Sequence, residues 1–459
     1  MKVCCVVAVL SLTVASVPAH SADPDRVRVT AGALVGAVAD GVRVFKGVPF
    51  AKPPVGDLRW MPPQPAKWTG DLNATEFQKP CPQPINGDGR PNGGGVSGAT
   101  SEDCLYLNVW APAGATNAPV MLWLYGGAGY LGGAHLLGYH GTTFAKRGVM
   151  VVTMNYRLGA LGNFAHPALT KAAGPTDWLG SYALMDAVAG LTWVKQNAAI
   201  FGGDPSNVTL FGQSAGGAMV SSLLSTAAAK GLFHKAIIHS GAALTELTPL
   251  EKAEAQGATL ATALGLRGAD ATLAELRAVP AQSTGDNAQV RQGVRAVMDG
   301  RFRTISTRAG FANGATVDVP LIVGSNAGEG GADRANEMVN LAASGAPSFQ
   351  YYFTYVPDRL KAAQPNGPPH SAEIRYAFGT VQGEEMTEQD RAAASRMNSC
   401  WVAFAKAAVS ARQLTCADGL VWEARTTAND AIAVFGDSAT LAKATPLIEE
   451  NRKRTTSRQ

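Results

Sequence analysis

A chain of 459 residues, 46% of them hydrophobic, can bury a large core, which excludes a disordered or purely solvating protein. A formal net charge of only +4 gives no field that would make nucleic acid an expected partner. The basic run Asn451-Arg452-Lys453-Arg454 reads as a tail that frays in solvent.

Residues 1–22 read as a secretory signal: Lys2, an apolar stretch over 3–17, then the small-residue segment Pro18-Ala19-His20-Ser21-Ala22. The expected location is therefore periplasmic or secreted. No later run has the length needed to span a bilayer. No linker or repeat divides residues 23–459, which are expected to form one α/β domain. Cys4 and Cys5 leave with the signal, and Cys81, Cys104, Cys400 and Cys416 remain. An even count in an exported chain points to two disulfides. Of the three pairings, the sequence-local one is simplest: Cys81–Cys104 and Cys400–Cys416.

Residues 27–48 alternate apolar side chains with Gly and predict an antiparallel hairpin or meander. The Pro-rich stretch 49–65 cannot be regular helix. Short apolar strands are predicted at 105–110, 119–125 and 149–155, and the Gly-rich run 126–133 follows the second. Residues 179–199 carry Leu184, Val188, Leu191 and Val194 at helical spacing. Strands follow at 207–211, 234–239 and 319–325, with helices at 215 to about 228 and at 392–409. Apolar strands separated by helices predict a mainly parallel sheet covered on both faces, with its chemistry at the carboxyl ends of the strands.

Between the strand at 207–211 and its helix lies Gly212-Gln213-Ser214-Ala215-Gly216. The five-residue pattern is weak alone in a chain with 51 Gly. Its strand–turn–helix setting makes it a nucleophile elbow, which presents a strained serine at the top of a sheet. The serine needs a histidine base and a carboxylate behind it, in the chain order Ser, acid, His. Only His234, His239 and His370 follow Ser214. His234 starts a strand at the wrong edge, and His239 leaves too little chain for the acid's own strand. His370, in a downstream Pro-rich loop, is the expected base. Glu329, just past the strand 319–325, is the expected acid. Asp318 lies at that strand's other end, and Asp333 and Glu337 read as solvated charges. The N–H of Ala215 and those of the loop Gly126-Gly127-Ala128-Gly129 are the expected oxyanion donors.

At this point the chain resembles the type-B carboxylesterase/lipase family, which includes the cholinesterases. The resemblance is carried by Phe45-Lys46-Gly47-Val48-Pro49-Phe50-Ala51, by Ser101-Glu102-Asp103-Cys104-Leu105-Tyr106-Leu107-Asn108-Val109 and by the stretch from Phe201 to Gly217 around the elbow. It implies an α/β-hydrolase fold, carboxylic ester hydrolysis without metal or organic cofactor, a Ser214–Glu329–His370 triad and an oxyanion hole of Gly127, Ala128 and Ala215. It also implies the Cys81–Cys104 bridge.

Three departures refine that expectation. Ala128 stands where the family usually has Gly, so a methyl narrows the hole. Gln213 stands where a Glu is common, and the Cys81–Cys104 loop has no Trp, so cationic choline esters are disfavoured and neutral esters expected. Fewer residues separate Ser240 from Glu329 and follow His370, which predicts a more open site. A lipase would need a large apolar lid, and a non-catalytic binding relative would have lost the nucleophile or base. Neither pattern is visible in the sequence.

Overall fold

The computed structural model describes residues 25–381 and 385–456, so the expected secretory signal lies outside the described residues. Among these, thirteen strands form one sheet. In chain order they are β1 Asp25–Val29, β2 Gly32–Ala39, β3 Val42–Pro49, β4 Asp71–Asn73, β5 Tyr106–Pro112, β6 Ala118–Leu124, β7 Met150–Met154, β8 Gly203–Gln213, β9 Lys235–His239, β10 Leu321–Asn326, β11 Ser348–Phe353, β12 Ala431–Phe435 and β13 Ala439–Lys443.

Across the sheet the order is β1-β2-β3-β5-β7-β6-β8-β9-β10-β11-β12-β13, with β4 beside β2. The β1–β2–β3 meander continues antiparallel into β5 and β7. From β7 to β12 every pairing is parallel. Leu122 lies opposite Val152 on one side and Leu210 on the other, and Leu210 opposite Ala236, and all four are fully buried. Helices cover both faces, so these strands read as continuous apolar runs rather than as alternation.

The helices that matter below are α1 Tyr182–Asn197, α2 Ala215–Leu223, α3 Leu250–Ala263, α4 Thr307–Ala312, α5 Ala332–Ala342, α6 Glu388–Lys406 and α7 Ala444–Thr456. Helix α2 stops well before 228. Thr226 Oγ1 and Ser225 Oγ both turn back to the carbonyl of Ser222, at 2.9 and 3.1 Å, which favours chain reversal over another helical turn. The expectation of a fraying basic tail is also corrected. Residues 451–454 lie in α7, where Asn451 donates to the carbonyl of Ala327 at 3.0 Å, Arg452 pairs with Asp333 at 2.7 Å and Ile448 is buried. No helix among the described residues is long and apolar enough to cross a membrane.

Two buried devices tie the layers together. The disulfides are Cys81–Cys104 and Cys400–Cys416, the sequence-local pairing. Arg157, in the loop after β7, forms an ion pair with Asp186 of α1 at 2.7 Å, and both side chains are almost wholly excluded from solvent. Asp186 also accepts the backbone N–H of Arg157 at 2.9 Å, and Arg157 donates to the carbonyl of Met61 at 2.9 Å. One salt bridge thus fastens the Pro-rich traverse, a sheet loop and a helix.

Candidate active site

The carboxyl ends of β6, β8, β9 and β10 meet at one cleft of about 880 Å³, lined by Ala128, Ser214, Ala215, Ser240, Glu329 and His370 among others. Ser214 lies between β8 and α2 with φ 55° and ψ −120°, the strained backbone of an elbow. Its N–H is spent on the carbonyl of His239 at 2.9 Å, which locks the turn to β9. Glycine is required beside it: a Cβ at Gly216 would sit 2.0 Å from the carbonyl oxygen of Leu124.

The loop after β6 is built the same way. Gly127 has φ 118°, and a Cβ there would lie 2.2 Å from the carbonyl oxygen of Leu131. Ala128 holds φ 54°, a left-handed conformation that costs a non-glycine residue about 1–2 kcal/mol. Among the described residues the N–H groups of Gly127 and Ala128 donate to no protein atom. Ala215 is the first residue of α2, where N–H groups lack intrahelical partners. These are the three donors expected from the sequence, and two of them line the cleft.

Glu329 and His370 are joined directly: Nδ1 of the imidazole hydrogen-bonds Oε2 of the carboxylate. The other carboxylate oxygen accepts from the hydroxyl of Ser240 and from the backbone N–H of Asn326, at 2.5 Å in the second case. The bond to Glu329 raises the pKa of His370 above the ordinary 6.5; burial opposes this, and the charges of Glu329 and Glu373 add to it. With Nδ1–H pointing at Glu329, the lone pair of Nε2 is left on the other side of the ring. The side chain of His370 is 46% exposed, as befits an open cleft.

Ser214 shares this cleft but does not hydrogen-bond His370 among the described contacts. Nε2 of His370 instead faces the side-chain nitrogen of Gln213 at 3.2 Å, and that same nitrogen donates to Ser371 Oγ at 2.9 Å. Gln213 is buried beneath the histidine, a neutral amide beside the serine where a glutamate would have placed a charge.

The loop bearing His370 is pinned by residues the sequence reading did not single out. Asn326, at the end of β10, donates to the carbonyl of Pro369 at 2.7 Å and to Glu373 at 2.5 Å. Both Asn326 and Glu373 are fully buried. Their only sequence signal is adjacency, Asn326 to the end of the acid's strand and Glu373 to His370.

Neither rejected histidine lines the cleft, although His239 approaches Glu373, beneath the His370 loop, at 3.6 Å. His234 accepts the N–H of Val208 at 3.1 Å at the opposite end of the sheet. His239 is fully buried and accepts from the Trp401 indole at 2.9 Å. His239→Ala should cost about 2 kcal/mol or more through the cavity it leaves, while the folded protein keeps its kcat. Urea melts and kcat measured side by side check this, and a specific loss of kcat would give His239 a place in the chemistry. Asp318 accepts from the N–H of Ala346, Asp333 pairs with Arg452, and Glu337 pairs with Arg308 in the lining of the cleft.

A parallel sheet flanked by helices, with a strained serine turning from strand into helix at its carboxyl edge and an acid–histidine pair beside it, defines the α/β-hydrolase fold. The carboxylesterase family model matches residues 23–341 and 334–442, and the chain belongs to that family. It is 32% identical over 450 residues to the para-nitrobenzyl esterase of Bacillus subtilis (strain 168), covering 82% of this chain and 88% of that protein. It is 41% identical over 329 residues to the fumonisin B1 esterase of Sphingopyxis macrogoltabida, a match spanning 70% of this chain but only 59% of that protein. A solved PNB esterase superposes with a TM-score of 0.78 at 28% identity, over 94% of this chain and 99% of the other.

Proposed function

We propose that this protein is a serine carboxylesterase that works through an acyl-enzyme. The observation that carries the reading is the Glu329–His370 hydrogen bond in the cleft into which the elbow presents Ser214. In the proposed cycle Ser214 Oγ displaces the Gln213 amide from Nε2 of His370 and gives up its proton there as it attacks the ester carbonyl. Glu329 holds the imidazole by Nδ1–H and compensates its positive charge. The N–H groups of Gly127, Ala128 and Ala215 receive the oxyanion. His370 then protonates the departing alcohol, and water repeats the sequence on the acyl group.

Family membership supports the reaction class. Of the arginines lining the cleft, Arg308 is paired with Glu337, and Arg295 and Arg334 outnumber the one remaining lining carboxylate, Glu329, which disfavours cationic alcohols. The two disulfides support an extracytoplasmic location. A sheet whose strands run from Asp25 to Lys443 supports reading residues 23–459 as one catalytic domain.

The test is a pH profile. The base must be neutral, and its pKa is raised, so kcat/KM for p-nitrophenyl acetate should climb with pH through a midpoint above 6.5. Glu329→Gln removes the charge responsible. Its midpoint should move to lower pH, and kcat should fall by about 10⁴-fold. No hydrolysis of simple esters, or a profile unmoved by Glu329→Gln, rejects the reading.

A further inference from the structure

Among the described residues four arginines are buried: Arg59, Arg157, Arg303 and Arg425. Two are paired with carboxylates, Arg59 with Glu102 and Arg157 with Asp186. Arg425 meets no carboxylate and its Nε has no partner, but its terminal nitrogens donate to Gln350, Asn336 and Asn340. Arg303 has neither kind of partner. It is 2% exposed, its Nε has no partner, and its guanidinium makes no hydrogen bond and meets no carboxylate within 4 Å among the described residues. The acid that acts on it electrostatically, Asp299, spends its oxygens on the backbone N–H groups of Leu179, Arg301, Phe302 and Arg303 itself. Burial lowers the Arg303 pKa to about 10, which still leaves it charged at neutral pH. A buried, unpaired cation is costly and needs a reason.

Arg303 lines a cavity of about 320 Å³ behind the elbow, between the start of α1 and the first turns of α2 and α4. Arg295 lines the same cavity, and no aspartate or glutamate does. The cavity opens onto the nucleophile, because it shares Ala215, Ala218, Ala243 and Arg295 with the main cleft. Arg295 also donates to the carbonyl of Ala128, so one guanidinium touches both the oxyanion loop and the side pocket. Leu184, Met219 and Leu247 give the pocket an apolar wall.

We propose that this side pocket is a carboxylate-recognising subsite: the preferred substrate is an ester carrying a free carboxylate on a short aliphatic chain, and Arg303 and Arg295 hold that carboxylate. The planar fork of arginine suits a carboxylate, and a site built around an unpaired charge rejects the analogue that lacks the partner. The inference rests on the esterase reading above and replaces the neutral ester expected from the sequence.

The experiment compares two matched pairs of esters. In the first the charge is on the acyl half, 4-nitrophenyl hydrogen glutarate against 4-nitrophenyl pentanoate. In the second it is on the alcohol half, 4-acetoxybutanoate against butyl acetate. In the wild-type protein one charged ester should exceed its neutral counterpart in kcat/KM by about tenfold or more, and the pair that does so identifies the half lying in the pocket. Arg303→Met should lower that charged-to-neutral ratio by about tenfold, and Arg303→Lys should restore part of it. If Arg303→Met does not fold, the same ratio is read in Arg295→Met, whose side chain lies at the surface of the cleft. Turnover of the neutral esters with no preference for either charged one, or a ratio unchanged by substitution at 303 and 295, overturns the subsite and leaves the esterase reading standing. No turnover of any of the four overturns both.

Discussion

Ser214→Ala is expected to lower kcat for p-nitrophenyl acetate by about 10⁴–10⁶-fold while the protein stays folded. The effect is this large because the substitution removes the attacking atom itself. The described residues offer no ready substitute: Ser240, which also lines the cleft, has its hydroxyl engaged by Glu329. Water held by His370 and the oxyanion donors could supply only the residual rate that such sites retain without a nucleophile. The stability cost should be small, since the Ser214 side chain makes no hydrogen bond among the described contacts and the turn is held by its backbone N–H to His239. The two measurements are pre-steady-state release of nitrophenolate with substrate in excess and a far-ultraviolet circular dichroism spectrum. The wild type should show a stoichiometric burst and the variant none. A folded Ser214→Ala protein that retains near-wild-type turnover would end the assignment.

The largest stability effect should come from Asp186→Ala, at about 3–5 kcal/mol. The Arg157 guanidinium would remain almost wholly buried with its charge uncompensated, and the backbone N–H of Arg157 would lose its acceptor. The pair bridges Met61, the loop after β7 and α1, so the loss should be cooperative rather than a local fray. A fall in the urea midpoint by that equivalent, partly recovered in the double variant Arg157→Met/Asp186→Leu, would separate the cost of an orphaned charge from the worth of the pair. A single variant within about 1 kcal/mol of wild type would place the structural weight elsewhere.

The parts of the fold that could be read in advance are those governed by local pattern. The apolar run at 119–125 has one arrangement that buries it on both sides, and it is β6 with one residue's difference at each end. The turn at 212–216 is legible because its backbone excludes side chains, as the clash that a Cβ would make at Gly216 shows. That Glu329 and His370 lie side by side at the carboxyl edge was legible by position, because that edge of a parallel sheet gathers the loops after its strands. What escaped depends on groups that converge from distant segments. Gln213 under the imidazole, Asn326 on Pro369 and Glu373, and Arg303 without a partner acquire their meaning only when strands β8 and β10 and the loops after them are side by side. No spacing rule connects residues 213 and 370. The end of α2 and the C-terminal helix escaped for a related reason: side-chain hydrogen bonds at 225–226 and the burial of Ile448 and Asn451 override local propensity.

The two cystine bridges join residues only 23 and 16 positions apart, whereas either other pairing would link the first quarter of the polypeptide to its last. Short segments find their ends quickly, in about 10–100 ns for ten residues. The ends of each loop can therefore meet before the parallel strands assemble, while the bond itself waits on thiol oxidation, roughly seconds to hours.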